Sequence, residues 1–302
     1  MNADRQTKKV GRFAPSPTGA LHTGSLVAAV GSWLMARSAG GIWLLRIDDL
    51  DSPRQMEGMV DDILQTLETF GLWWDGEISW QSRNLAQYER AFLDLQQHGL
   101  VYPCGCSRRE IAQAASAPHP EDDAIAYPGN CRSGIRPEAV VRSWRVQVPD
   151  EELCFQDVRK GKVCQNLLRS CGDLAVRRGD GVFTYQLAVV VDDQLTGVTQ
   201  VVRGDDLLSS TLRQIYLQRI LGYQTPEYCH LPLVTGRDGL KLSKRDNLVS
   251  YHLGNLRGKE ETLLYKVLQF LGQAPPQELK GAACEELLRW GVKYFDAGLI
   301  PA

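Results

Sequence analysis

The apolar positions of this 302-residue chain fall into blocks whose period changes along its length. Residues 9–13 form a short strand-like run that stops at Ala14-Pro15-Ser16-Pro17-Thr18-Gly19, where two prolines and a glycine interrupt regular structure. Within 25–38, Leu26, Ala29, Val30, Trp33, Leu34 and Ala36 recur at largely helical spacing. Residues 42–47 read as a second, buried strand, and 56–70 and 85–97 as two further amphipathic helices. Strand, loop, helix, strand in that order predicts an α/β domain built on a parallel sheet. Between about 101 and 178 the pattern breaks into cysteines, short β-rich pieces such as 140–148, and a Pro-, Ala- and acid-rich stretch from 114 to 123. That segment reads as an insertion into the sheet domain. Alternating elements resume with 183–191, 198–202 and a helix over 209–221, although periodicity leaves 187–191 open as strand or buried helix. After Pro232 the chain is mostly helical, with 263–271 and 285–290 the clearest pieces.

Charge and cysteine content narrow the classes. A formal net charge of −2 excludes a surface coated in basic residues, so a nucleic-acid partner has to be met by a local patch. Residues 131–178 carry ten Lys or Arg against six Asp or Glu, which suits such a patch and equally an ordinary solvated face. The N-terminus is polar, without the apolar stretch of a signal peptide, and no later run reaches the length of a membrane span. A cytoplasmic location and no membrane contact are therefore expected. Thiols stay reduced there, so the eight cysteines point away from a disulfide framework and towards a metal. Cys104, Cys106 and Cys131 offer three thiolates, and spacing leaves the fourth ligand open, with His119 available. Cys154, Cys164, Cys171, Cys229 and Cys284 have no partner spacing and are expected as unpaired thiols, buried or at the surface.

The strand-breaking loop continues through Leu21-His22-Thr23-Gly24-Ser25 into the first helix, the kind of junction at which open α/β sheets bind ligands. Its glycines allow close backbone approach, the helix N-terminus presents unpaired N–H groups to an anion, and His22 can donate to a phosphate oxygen. The spacing matches neither a Walker loop nor a dinucleotide fingerprint. Far downstream, Gly236-Arg237-Asp238-Gly239 leads into Lys241-Leu242-Ser243-Lys244-Arg245, which places three cations on a turn-prone loop. Such cations suit the charge that builds on phosphate oxygens and departing pyrophosphate when a carboxylate attacks the α-phosphorus of ATP, and Lys244 is the candidate for that role.

Each motif alone is ordinarily a turn or a solvated loop. Together, in this order and at this separation, they resemble the HIGH and KMSKS signatures of class I aminoacyl-tRNA synthetases. Arg12-Phe13-Ala14-Pro15-Ser16-Pro17-Thr18-Gly19, Leu45-Arg46-Ile47-Asp48-Asp49, the stretch from Thr184 to Asp193, and Val202-Arg203-Gly204-Asp205-Asp206-Leu207 look like the glutamyl-tRNA synthetase catalytic domain, over roughly 11–244. The resemblance implies an α/β, Rossmann-like class I synthetase catalytic domain in two halves, 1–100 and 179–224. It also implies a zinc-bearing α+β insertion over 101–178 and, over 225–302, the KMSKS loop with a short helical C-terminal stem domain.

Carried over residue by residue, the likeness implies that Arg12, Phe13, Ala14, Pro15, Ser16, Asp48, Tyr185 and Arg203 surround L-glutamate. Arg12 and Arg203 would clamp carboxylates, Asp48 would pair with the α-ammonium, and the Tyr185 hydroxyl would line the pocket. Pro15, Thr18, Gly19, His22, Gly24, Ser25, Lys241, Ser243 and Lys244 would hold ATP with Mg2+, and His22 and Lys244 would act in catalysis. There are two departures from the family pattern. Asp48 stands where the family usually has Glu, which sets the carboxylate one methylene back and makes Asp49 an alternative, and Ser25 takes the last position of the HIGH signature.

With 58 residues following Lys244 in this sequence, no anticodon-binding domain is expected, and in this the chain resembles the glutamyl-queuosine tRNA(Asp) synthetases. These make glutamyl-adenylate without tRNA and pass glutamate to queuosine at the wobble position, so an anticodon loop would enter the catalytic site. The same group carries a zinc held by three cysteines and a tyrosine, which implies one structural Zn2+ on Cys104, Cys106, Tyr127 and Cys131. The expected partners are L-glutamate, ATP and tRNA(Asp) carrying queuosine, and the expected state is a monomer. A short synthetase charging a tRNA 3′ end and a catalytically silent tRNA-binding paralogue are the alternatives.

Overall fold

Parallel strands have to be joined by crossovers, and the chain begins with one. Val10–Phe13 (β1), Thr23–Ser38 (α1) and Ile42–Ile47 (β2) follow one another, and β1 pairs with β2 in parallel from Val10 opposite Ile42 to Phe13 opposite Leu45. The computed structural model describes residues 8–50, 55–107, 109–111, 126–234 and 258–301. Ser79–Trp80 (β3) extends the sheet beyond β2. On the other side of β1 come Gln200–Gly204 (β9), Glu227–Leu231 (β10), Glu152–Asp157 (β6) and Gly161–Asn166 (β7), giving the seven-stranded order β3-β2-β1-β9-β10-β6-β7. All neighbours in it are parallel except the β6–β7 hairpin. Val101–Cys104 (β4), Ser143–Val146 (β5) and Leu174–Arg178 (β8) form a separate antiparallel sheet in the order β4-β5-β8.

Side chains alternate across a strand, and here the alternation feeds two cores. Val202, Cys229 and Leu231 join the core around α1, whereas Val201 and Tyr228 join the one on the other side. The first core takes in α1, Met59–Thr69 (α2), Glu260–Phe270 (α7) and Cys284–Tyr294 (α8), with Leu26, Val30 and Leu34 of α1 fully buried. Burying each such side chain contributes about 1.5–3 kcal/mol before conformational entropy is charged against it. The second core is built by Leu85–Gln97 (α3), Tyr185–Leu195 (α5), Leu208–Ile220 (α6) and strands of both sheets; the single-turn Leu167–Ser170 (α4) caps β7. Among the described residues no helix is long and apolar enough to cross a membrane.

The ambiguous run 187–191 is helical. It lies in α5, where every residue from Leu187 to Asp193 is buried, so neighbours on several sides remove the polar face that would have revealed its period. The segment 101–178 is shared between two sheets: β4, β5 and β8 form the small one, while the β6–β7 hairpin extends the large one, with β6 beside β10. That hairpin overturns the expectation for two cysteines. Cys154 and Cys164 stand directly opposite each other in the β6–β7 register and are joined as a disulfide. Strand register, which a ten-residue separation does not disclose, brings them together. The six remaining cysteines are unpaired.

Candidate active site

In the large sheet β2 and β9 flank β1 on opposite sides, so the connections leaving β1 and β9 diverge at their carboxyl ends and open a crevice. A cavity of about 350 Å³ lies there. Its wall includes Arg12, Phe13, Ala14, Pro15, Ser16, Thr18, Gly19, His22, Gly24, Ser25, Tyr185 and Arg203. A second cavity, of about 430 Å³, shares Ser16, Thr18 and Tyr185 with the first and adds Asp48, Gln55, Gln81 and Arg178. The described residues expected around glutamate and ATP thus face one of two adjoining spaces, with Asp48 in the second. Lys241, Ser243, Lys244 and His119 lie outside the described residues.

Local geometry sets the loop. The Asp48 N–H donates to the Pro15 carbonyl at 3.0 Å and the Met56 N–H to the Pro17 carbonyl at 3.1 Å, tying the loop after β1 to the chain leaving β2. Gly19 turns at φ +150°, a conformation that other residues avoid. His22 then caps α1, its Nδ1 accepting from the Ser25 N–H at 3.1 Å. The neutral ring therefore carries its proton on Nε2, a donor suited to phosphate. No acidic residue occupies the first turn of α1, so its N-terminus keeps its preference for an anion.

Behind the loop lies a buried cluster of charge. Arg46 donates from Nε to Asp48 Oδ1 and from Nη1 to Asp193 Oδ1, both at 2.6 Å. Arg12 forks onto Asp193 at 3.3 and 3.4 Å. Asp192 lies 3.7 Å from Arg46 and accepts from Gln81, Asn84 and Tyr88. Burial alone would discharge Arg46, but the surrounding carboxylates hold its pKa well above the ordinary value. Burial likewise opposes ionisation of Asp193, yet Arg12 and Arg46 keep its carboxyl below the usual range. At Asp48 burial prevails over Arg46 and pushes the carboxyl up to about 6. With all five groups ionised the cluster holds two cations against three carboxylates, a deficit that one substrate ammonium would balance. Asp49 is turned away from this task, because both of its oxygens accept from Ser82, at 2.8 and 2.6 Å.

Arg203 is anchored as thoroughly. It donates from Nε to His230 Nε2 at 3.3 Å, from Nη1 to Gln214 at 2.8 Å, and from Nη2 to Thr211 Oγ1 at 2.8 Å and the Leu207 carbonyl at 3.4 Å. These bonds use four of its five N–H groups and leave an Nη1–H for a ligand.

The cysteine cluster fits a tetrahedral zinc. The sulfurs of Cys104, Cys106 and Cys131 lie within 4.8 Å of one another, with Cys106 and Cys131 at 3.5 Å, and the Tyr127 hydroxyl is 3.5 Å from the Cys104 sulfur. Zinc–sulfur bonds of about 2.3 Å place ligand sulfurs at comparable separations. Gly172 permits this arrangement: it turns at φ +67°, and a Cβ there would meet the Tyr127 carbonyl oxygen at 2.1 Å. Cys104, Cys106, Tyr127 and Cys131 therefore form one potential ligand set.

The partners that hold the site, Arg46, Asp192, Asp193, Thr211, Gln214 and His230, were given no role from sequence, although Arg46, Asp192 and Asp193 stand within the stretches that carry the family likeness. Two of them carried a signal: Asp192-Asp193 closes an apolar run, and a charged pair attached to a buried run implies a buried counter-charge.

The family model for tRNA synthetases class I (E and Q), catalytic domain, matches residues 8–289. The chain is 56% identical over 297 residues to a glutamyl-Q tRNA(Asp) synthetase of Geobacter sulfurreducens, covering 98% of this chain and 95% of that one. It is 49% identical to the protein of that name from Thiobacillus denitrificans, covering 97% and 95%. Among solved structures, a glutamate tRNA ligase from Elizabethkingia meningosepticum in complex with its amino acid superposes with a TM-score of 0.78 at 26% identity. That match covers 97% of this chain and 66% of the ligase.

Proposed function

The chain belongs to the class I tRNA synthetase family (E and Q) and is a ligase; from that premise we propose that it activates L-glutamate with ATP, without tRNA, and transfers the glutamyl group to queuosine at the wobble position of tRNA(Asp). The observation that carries this reading is the convergence of Arg12, Ser16, His22, Tyr185 and Arg203 on one cavity at the carboxyl ends of β1 and β9. In this reading Arg12 and Arg203 receive the two carboxylates and Asp48 the α-ammonium, completing the charge of the buried cluster. ATP with Mg2+ lies along Pro15, Thr18, Gly19, Gly24 and Ser25, with His22 donating to phosphate. Lys241, Ser243 and Lys244 come from the downstream loop by family likeness.

An α-carboxylate oxygen of glutamate attacks the α-phosphorus and pyrophosphate leaves. A hydroxyl of the queuosine cyclopentene diol then attacks the acyl carbon, AMP departs with the bonding pair, and the hydroxyl proton is lost. Zinc on Cys104, Cys106, Tyr127 and Cys131 has a structural part. The enzyme works as a cytoplasmic monomer.

Purified protein is expected to exchange pyrophosphate into ATP with glutamate and no RNA; absence of exchange in zinc-replete protein would overturn the reading. Labelled glutamate should reach tRNA(Asp) from queuosine-competent cells and not from queuosine-deficient ones. Equal labelling of both selects charging of the 3′ end. Asp48 adds a pH test. An ammonium partner must be ionised, so kcat/KM for glutamate should fall as pH drops through about 6. Asp48→Asn should lower kcat/KM at neutral pH by about tenfold or more, as for a charge-assisted bond worth about 1.5–3 kcal/mol, and should flatten that acid limb. An undiminished limb in the variant assigns the titration to another group.

A further inference from the structure

The orientation of Arg203 is set by a chain of buried groups that begins on β6, within the segment 101–178. Asp157 Oδ2 accepts from His230 Nδ1 at 2.7 Å, and Asp157 Oδ1 accepts the backbone N–H groups of Arg159 at 3.0 Å and Lys160 at 2.9 Å. With Nδ1 donating to a carboxylate, the neutral imidazole leaves Nε2 as an acceptor. Two donors converge on that nitrogen, Thr211 Oγ1 at 2.8 Å and Arg203 Nε at 3.3 Å. Thr211 Oγ1 in turn accepts from Arg203 Nη2. One tautomer of His230 thus satisfies the whole chain and the other does not. Asp157, His230 and Thr211 are all fully buried and absent from the cavity wall, whereas Arg203 lines it. Burial keeps His230 neutral, helped by the Arg203 charge and opposed by Asp157.

We infer that Asp157, His230 and Thr211 are positioning residues that aim Arg203 at a substrate carboxylate, with the Nδ1–H tautomer of His230 as the device that fixes it. This rests on the reading that Arg203 receives a carboxylate of glutamate. The register of the sheet makes the connection short: His230 stands opposite Arg203 on one side of β10, and Tyr228 opposite Asp157 on the other. A bond made on the hairpin therefore reaches the pocket through one imidazole.

Asp157→Asn tests the device because the amide keeps the shape of the carboxylate while replacing one acceptor with a donor. If the amide oxygen stays on the Arg159 and Lys160 N–H groups, its NH2 faces His230 Nδ1, and the ring is forced to carry its proton on Nε2, against the Arg203 Nε–H. The expected result is a KM for glutamate raised about tenfold or more, as for loss of a charge-assisted contact. The KM for ATP and kcat should stay near wild type, and the 15N–1H correlation of His230 should move from Nδ1–H to Nε2–H. Thr211→Val should raise the same KM and Thr211→Ser restore it, which keeps the test open if Asp157→Asn does not fold. An Nε2–H tautomer in the wild-type protein, or an unchanged glutamate KM in Asp157→Asn and Thr211→Val alike, overturns the inference. Arg203→Lys separates the two layers: a glutamate KM unmoved by it removes the carboxylate role of Arg203 and the inference with it, whereas a raised one alongside silent Asp157→Asn and Thr211→Val removes only the positioning chain.

Discussion

Asp193→Ala is expected to destabilise the protein by about 3–5 kcal/mol, the cost of breaking a buried ion pair by removing one partner, and to abolish measurable glutamate activation. Asp193 accepts from Arg46 Nη1 at 2.6 Å and from the Arg12 fork, with side-chain exposures of 3%, 6% and 5% for Arg46, Arg12 and Asp193. Its loss leaves Arg12 facing the cavity without the carboxylate that orients it, and leaves Arg46 with Asp48 and the more distant Asp192. Two guanidinium groups out of contact with bulk water cannot recover that attraction from solvent. The measurement is a urea titration in which the midpoint falls at unchanged slope, with pyrophosphate exchange followed below the new midpoint. Lys9→Ala is the control, since Lys9 and Glu227 are 39% and 38% exposed and their pair is worth about 0–1 kcal/mol. A midpoint for Asp193→Ala equal to that of Lys9→Ala would show the cluster to be energetically idle.

Removing zinc is expected to produce the second large effect. The core around the cysteines is small, with Cys104, Tyr127 and Cys131 buried and Tyr102, Cys106, Ile111 and Ile135 packed against them. So little apolar surface cannot order a module by itself, whereas a structural zinc in small peptides contributes about 10–16 kcal/mol of apparent binding energy. One zinc per chain by elemental analysis is expected. Chelation, or Cys131→Ser, should unfold the neighbourhood of Tyr127, visible as rapid amide exchange there while α1 and β1 stay protected. Asp173 limits the spread of that unfolding: it accepts a fork from Arg132, a bond from the Tyr102 hydroxyl and the Val148 N–H, tying the module to the small sheet without metal. Tyr127→Phe should weaken zinc retention without the collapse caused by losing a thiolate. Protein free of zinc that keeps slow exchange at Tyr127 would rule out a structural metal.

Much of the architecture was legible because it is local. The helical spacing of Leu26, Val30 and Leu34, the break at Pro15 and Pro17, and a histidine just before a helix are properties of neighbouring residues, and the structure places β1, the loop, α1 and the His22 cap in that order. The run 187–191 was not legible, since a helix buried on several sides shows no period. Cys154 and Cys164 misled for a different reason. Compartment chemistry argued for free thiols, and the hairpin register that sets them opposite each other is not written in their spacing.

Residue type and order by themselves determined the α/β class, the strand-to-helix loop that forms the cavity wall, and the cysteine set. Only the tertiary structure decided what holds those groups in place. Arg12 meets Asp193 across 181 positions of the chain, and Asp157 meets His230 across 73. Each contact depends on which strands are neighbours in the sheet and on how a helix packs over them. A charge in a sequence shows that a partner is needed, but the identity of that partner is fixed by packing, because a buried ion is stable only where an opposite charge arrives within hydrogen-bonding distance.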